Sequence, residues 1–372
     1  MKVLIIGGGL FGCCAAIELA LYGHDVTLVE QDSEIMERAS RCNHNRIHFG
    51  YHYPRSILTA KQSIEGLLSF LIHFKDAIIT DFPNYYSVAK EGSRISPNDF
   101  VRFCEEVGIS YIEEFPSEQI LNRSLLDASF RVNEPVFDFF VLRDIVRKRL
   151  KHPNIKLFLS TKCIDLNMRD KSSMVATLSN SLGKNIKEFE FVINATYAGL
   201  NNINKPLGVQ ELDLLFEDVL IPVLGKVNIP PMGLTVIDGD FCTIMPRGYR
   251  AKKYKESLLY HVKTSILKRS KNVNNATLNL DKSAFSKIQK RILKDCQEFM
   301  PFLKNTEIID CYRTIRTVME NKSDARLSEI HTYEGCNMYV SVLSGKISTA
   351  MKTAIQLRTL LSGKALAAPC II

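Results

Sequence analysis

The segment KVLIIGGGLFGCCAAIELALYGHDVTLVE, which begins at Lys2, admits few folds. Five residues rich in branched side chains form a short strand. A glycine turn, an apolar helix and a second strand ending in an acid follow. Gly7, Gly9 and Gly12 form GxGxxG, and each glycine is there for a physical reason. Gly7 permits the tight turn, Gly9 lets backbone approach a pyrophosphate, and Gly12 lets the helix pack close on the strand. A pyrophosphate would then sit on the helix N-terminus, where free amides and the helix dipole favour negative charge. Glu30, at the end of the second strand, is placed to accept hydrogen bonds from ribose hydroxyls. Strand, glycines, helix and acid together identify a dinucleotide-binding βαβ unit.

The same stretch is apolar enough to suggest a signal peptide or a membrane span, but four glycines within residues 7–12 argue for a turn, so no span is expected. With 372 residues, 46% of them apolar, the chain has material for two structural domains. The formal net charge of +8 arises from 48 basic and 40 acidic residues and indicates no particular partner. The densest basic run, YRAKKYKESLLYHVKTSILKRSK, reads as a solvated sheet rim around an alternating strand, so no nucleic acid is expected. Ten cysteines at scattered spacings, with no CxxC pair, suggest reduced thiols of a cytoplasmic protein and neither a zinc site nor a disulfide framework.

An acid at the end of the second strand disfavours a 2′-phosphate and leaves NAD or FAD. A simple nicotinamide dehydrogenase continues with another strand and helix. Here QDSEIMERASRCNHNRIHFGYHYPRS intervenes, a polar loop too long for an idle connection. NRIHFGYHYPRSILTAK resembles the segment after the glutamate strand in the D-amino-acid oxidase superfamily of flavoproteins, and most closely the histidine-glycine-tyrosine stretch of L-2-hydroxyglutarate oxidases. FEFVINATYAGL is similar to that family's strand beside the adenosine of FAD. MYVSVLSGKISTAMKTAIQLRTLL is similar to its last strand, turn and helix, whose N-terminus faces the flavin ring.

The resemblance implies an α/β chain in which a Rossmann-like FAD-binding domain carries a second, antiparallel-sheet α+β substrate domain. The first is expected over residues 1–80, 138–200 and 310–372, the second over 81–137 and 201–309. Asp138 is placed as a helix cap before the apolar pattern of Phe139, Leu142, Ile145 and Leu150. EDVLIPVLGKVN, GLTVIDGDFCTIMPRG and SLLYHVKTSIL alternate with period two, as strands of the second sheet. The helix DKSAFSKIQKRILKDCQEFMPFL is expected to lead back to the first domain.

FAD contacts are implied at Gly7, Gly9, Leu10, Phe11 and Gly12, and at Glu30 and Gln31. Further contacts are implied at Arg41, Asn43, Asn45, Arg46 and His48, at Cys163, Ala195 and Thr196, and at Ser344, Gly345, Lys346 and Ile347. Lysine is electrostatically out of place at a helix start, so Lys346 is read as a charge that favours anionic reduced flavin. His52 is the candidate base for a substrate amine or hydroxyl. Family members that oxidise amino or hydroxy acids carry an arginine clamp for the substrate carboxylate near CYRTIRTVMEN, which nominates Arg313 and Arg316. Tyr53, Arg247 and Tyr249 are the remaining substrate candidates.

The expected activity is FAD-dependent oxidation of an amine, amino acid or 2-hydroxy acid by hydride transfer to flavin N5, on an anionic small molecule. The electron acceptor, dioxygen or a quinone or carrier protein, is left open. One alternative is a flavin-binding partner subunit or binding module without turnover, because the bulky polar run Asn43, His44, Asn45 and Arg46 could block the cavity. The other is an NAD-dependent dehydrogenase.

Overall fold

The computed structural model describes residues 1–248, 256–320 and 326–367. The opening motif folds into strand β1 (Lys2–Ile6), helix α1 (Leu10–Leu21) and strand β2 (Asp25–Val29). β1 and β2 pair in parallel. Ile155–Phe158 extends the sheet beyond β2; Phe191–Asn194 and then Tyr339–Leu343 extend it beyond β1, all parallel. Glu329–Thr332 closes that edge antiparallel. Val3, Leu4, Ile5 and Ile6 are all buried, as expected of a parallel strand covered on both faces. α1 is buried nearly all round, between the sheet and the final helix, Ala350–Ala367. Its one buried acid, Glu18, accepts 2.8 Å from Arg358 of that helix.

After β2 the chain runs through residues 30–56 without helix or strand, apart from one bridge between Arg46 and Val136. It then enters helix α2 (Ile57–Phe74). Gly66 of α2 lets this helix touch the last turn region: a Cβ there would stand 2.9 Å from Thr349 Cα. Asp138 caps Phe139–Arg149 by accepting from the amides of Phe140 (2.9 Å) and Val141 (3.2 Å).

The second sheet has nine strands, with the long strand Leu214–Leu224 near one end, paired along its length with Ile308–Met319. Three expectations need correction here. The sheet is mixed, because Gly233–Ile237 runs parallel to Asn84–Ala89. SLLYHVKTSIL is two strands, Ser257–His261 and Ile266–Ser270; the first is wholly buried, so the segment is not a solvated rim. Residues 310–319 belong to this sheet, so the helix Lys282–Gln297 leads into the second layer and not back to the first. In these strands period two fails as a sign of one solvated face, since Leu214–Leu224 is buried at ten of its eleven positions. Helix and cavity cover its two faces.

Candidate active site

The two sheets enclose a cavity of about 1020 Å³. Its wall on the first sheet is the glycine turn, with Gly7, Gly9, Leu10 and Phe11, followed by Glu30 and Gln31. Gly7 has φ +108°, and a Cβ there would lie 2.6 Å from Ala195 O; a Cβ on Gly12 would lie 1.9 Å from Gly7 O. A Cβ on Gly9, by contrast, would meet only Ser40 Oγ at 3.5 Å and would otherwise project into the open cleft. Gly7 and Gly12 are therefore fixed by packing, and Gly9 by what the cleft must admit. Glu30 accepts from the amides of Gly8 (2.7 Å) and Asp32 (2.9 Å), which fixes its carboxylate at the strand end. Leu10 N, at the start of α1, donates to Ser40 Oγ at 3.0 Å, a partner that no sequence pattern marked.

Cys163, Ala195 and Thr196 line the same wall, and Ser344, Gly345, Lys346 and Ile347 line the part formed by the last strand and its turn. Lys346 has extended backbone and directly precedes the short turn Ile347–Thr349, so it stands four residues before the final helix and not in its first turn. Its ammonium lies 4.1 Å from the centre of the Tyr53 ring. Burial and the nearby Arg46 lower its pKa to about 7.

Asn43, His44, Arg46, His48, His52 and Tyr53 come to the cavity from the loop. Asn43 turns back on its own backbone, donating to Ala39 O and Ser40 O and accepting from Asn45 N at 2.7 Å. The polar run therefore braces itself and leaves the cavity open. The guanidinium of Arg46 is buried and reaches the second sheet, where it bonds Thr235 Oγ1 (2.7 Å), Thr243 Oγ1 (2.8 Å) and the Tyr86 hydroxyl. Its donors are directed at this sheet, where the sequence suggested a cofactor contact. His48 and His52 have ring centres 5.7 Å apart, and Nδ1 of each is buried without a partner. Burial, reinforced by Arg46, Lys346 and Arg326, holds both well below the ordinary histidine range, so both are neutral.

Arg313 and Arg316 reach the cavity wall but are committed to carboxylates. Arg313 chelates Asp218, with Nε to Oδ1 at 2.9 Å and Nη2 to Oδ2, and also bonds Leu278 O. Arg316 Nε donates to Glu217 at 2.6 Å, and Arg269 holds the other oxygen of Glu217 at 3.0 Å. Four candidates are not brought to the cavity wall: Gly12 lies behind it, packed on Gly7, and three others point elsewhere. Arg41 pairs with Glu37 at 2.5 Å, Arg247 with Glu256 at 2.5 Å, and the Asn45 backbone carbonyl accepts from Phe137 N at 2.8 Å while its side chain lies away from the cleft. Tyr249 lies outside the described residues.

Two residues that sequence reasoning missed are central. Arg326 lines the cavity and, among the described residues, forms no ion pair; the adjacent Arg316, and then burial, lower its pKa. Glu134 is buried behind the histidines and accepts from Tyr86 Oη (2.6 Å) and Phe49 N (3.0 Å). Neither has a local signature, since Arg326 precedes its strand in an irregular segment and Glu134 lies between two short strands. Among the described residues no cluster suited to a metal occurs, and nine cysteines are free thiols. No described helix is long and apolar enough to cross a membrane.

A parallel-sheet nucleotide layer facing a large second sheet across one deep cleft defines a two-domain flavoprotein class. Residues 2–342 match the family of FAD dependent oxidoreductases known as DAO, and the chain belongs to this family, whose cofactor is FAD. The chain is 24% identical over 371 residues to the FAD-dependent monooxygenase kojA of Aspergillus flavus, covering 95% of this chain and 84% of that protein. It is 26% identical to the FAD-dependent monooxygenase FPY4 of Fusarium mangiferae over 65% of this chain and 60% of that relative's length. In fold it is similar to glycine oxidase from Geobacillus kaustophilus, with a TM-score of 0.74 and 15% identity over 97% of this chain and 95% of that one. It is equally similar to L-alpha-glycerophosphate oxidase from Mycoplasma pneumoniae with FAD bound, at a TM-score of 0.74 and 16% identity over 97% and 94%. The residues present fit the cofactor: only glycine fits at positions 7 and 12, the space beside Gly9 is open, and the fixed Glu30 stands where a ribose would need an acceptor.

Proposed function

We propose that the protein oxidises a small anionic substrate at a CH–OH or CH–NH carbon, binding the anion through Arg326. The observation that carries this reading is the contrast among three neighbouring arginines. Arg313 and Arg316 are paired with Asp218 and Glu217, whereas Arg326, which also lines the cavity, forms no ion pair among the described residues and feels Glu217 only from beyond contact distance. A partly desolvated cation attracts an anion more strongly than one in water, and the guanidinium fork suits a carboxylate or phosphate. Lys346 adds a second, titratable charge.

FAD supplies the acceptor for the two electrons of the substrate C–H bond. The neutral imidazoles of His48 and His52 are the groups able to take the proton of the substrate hydroxyl or amine, because burial leaves each with a free nitrogen. Tyr53 packs against both rings, at 5.6 Å from His48 and 5.3 Å from His52, so that the three ring centres form a triangle of nearly equal sides. Whether dioxygen or a carrier then accepts the electrons is decided by comparing reoxidation rates with each.

The test is anaerobic mixing of the FAD-loaded protein with 2-hydroxy acids, amino acids and glycerol 3-phosphate. Bleaching of the flavin band by an anionic member, and not by its neutral amide or dephosphorylated analogue, supports the proposal. Equal bleaching by charged and neutral analogues would remove it.

A further inference from the structure

Glu134 is a buried carboxyl group: burial raises its pKa, and Arg46, the Tyr86 hydroxyl and the Phe49 amide oppose that shift and favour the ionised form. Its neighbours are Arg46, whose Nε lies 3.4 Å from Oε2, and Tyr86, whose hydroxyl donates to the same oxygen at 2.6 Å. The other oxygen, Oε1, accepts one bond from Phe49 N at 3.0 Å and keeps a free lone pair. Facing that lone pair at 3.7 Å is Nδ1 of His48, a buried nitrogen without a partner. A shift of about 1 Å would bring the pair to ordinary hydrogen-bond length. A carboxylate only accepts, so it would hold His48 as the Nδ1–H tautomer and leave the Nε2 lone pair free. Among the described residues, His52 has no carboxylate in this position.

We propose that Glu134 is the positioning residue of His48: it selects the Nδ1–H tautomer, orients the ring, and makes His48 rather than His52 the proton acceptor. The inference rests on the oxidative reading of the site. In the step concerned, the proton leaves the substrate oxygen or nitrogen for His48 Nε2, and the C–H hydrogen leaves the carbon with its electron pair as a hydride, which FAD, when bound, would accept. His48 then carries both protons, and its new charge is held against Glu134. Arg46 and Tyr86 fix the carboxylate from behind and tie the loop carrying His48 to the second sheet. The other groups facing the imidazole are Arg46 and Arg326, both cationic, Lys346, cationic below about pH 7, and His52 and Tyr53; among the described residues Glu134 is the anion within 4 Å of it.

The tautomer is read directly, without substrate, by nitrogen NMR of FAD-loaded protein labelled in its histidines, with His48→Gln identifying the signal of His48. The expected result is the Nδ1–H form in the native protein and its loss in Glu134→Ala. An Nε2–H form in the native protein overturns the proposal, and this holds even if the alanine variant does not fold. Glu134→Gln keeps the acceptor and removes the charge. It is expected to retain FAD, to bleach with substrate at least about tenfold more slowly, and to move the acidic limb of the bleaching rate to lower pH, because loss of a neighbouring anion disfavours imidazolium. An unmoved limb overturns the proposal. Failure of every substrate to bleach the native protein would count against the oxidative reading alone, since the tautomer is measured independently.

Discussion

The ammonium of Lys346 stands 4.1 Å over the ring of Tyr53, with the guanidinium of Arg46 near enough to act on its charge. Burial first, then Arg46, lowers the lysine pKa to about 7. The unfolded chain keeps an ordinary lysine, so between pH 7 and about 10 the unfolded state binds the extra proton and stability rises with pH across that window. Below pH 7 both states are protonated and the contribution is flat. Thermal melts of FAD-free native protein and of Lys346→Met should therefore diverge by a few degrees in favour of the native protein between pH 7 and pH 9, and run parallel below pH 6. A constant separation at all pH values would mean that Lys346 is charged in the folded state.

The arginine nominated first from the sequence is expected to act on stability. Asp218 is almost fully buried, and Arg313 is the cation that chelates it. Arg313→Met leaves that carboxylate uncompensated, at a cost of about 3 kcal/mol, while the substrate concentration for half-maximal bleaching should change by less than about threefold. Denaturant unfolding and substrate titration measure the two separately. A large change in substrate affinity with unchanged stability would return Arg313 to the substrate-binding role.

How much of this was legible depends on the range of the interaction. The glycine turn, Glu30, the Asp138 cap and the final strand, turn and helix are local, and each is written in adjacent residues whose spacing carries the geometry. The pairing of arginines is not local: Arg313 and Arg316 meet Asp218 and Glu217 across two strands whose register only the folded sheet sets. The same limit hid Glu134, whose partners Arg46 and Tyr86 lie far away in sequence on a loop and a strand. Splitting SLLYHVKTSIL into two strands likewise depends on the turn in which Ser265 N bonds His261 O, which alternation of apolar residues cannot register.

Two glycines of the opening motif should fail differently when replaced by alanine. At Gly12 the added methyl would meet Gly7 O at 1.9 Å, a backbone atom that cannot move aside where α1 follows the glycine turn, so Gly12→Ala is expected to unfold or fail to accumulate. At Gly9 it would meet only Ser40 Oγ at 3.5 Å and project into the cleft. Gly9→Ala should fold with a native far-ultraviolet spectrum yet bind FAD at least about tenfold more weakly, since backbone could no longer approach the pyrophosphate. Retention of FAD by Gly9→Ala would place the pyrophosphate elsewhere.

Arg326 provides the sharpest separation of binding from folding. It contributes no ion pair among the described residues, and Arg316 beside it lowers its pKa, so in the empty protein it is a strained charge. Removing it should therefore leave stability unchanged or slightly raised, the reverse of what Arg313→Met does. The substrate loses a charge-assisted pair, which costs about 2 to 5 kcal/mol when the remaining partner stays desolvated, so Arg326→Met should weaken substrate binding by roughly thirtyfold or more. Arg326→Lys keeps the charge but not the fork, and should recover part of the affinity for a substrate bound at two oxygens. Titrating the bleaching rate for the three proteins decides the matter: equal affinities would show that the anion, if the substrate carries one, is held by Lys346 alone.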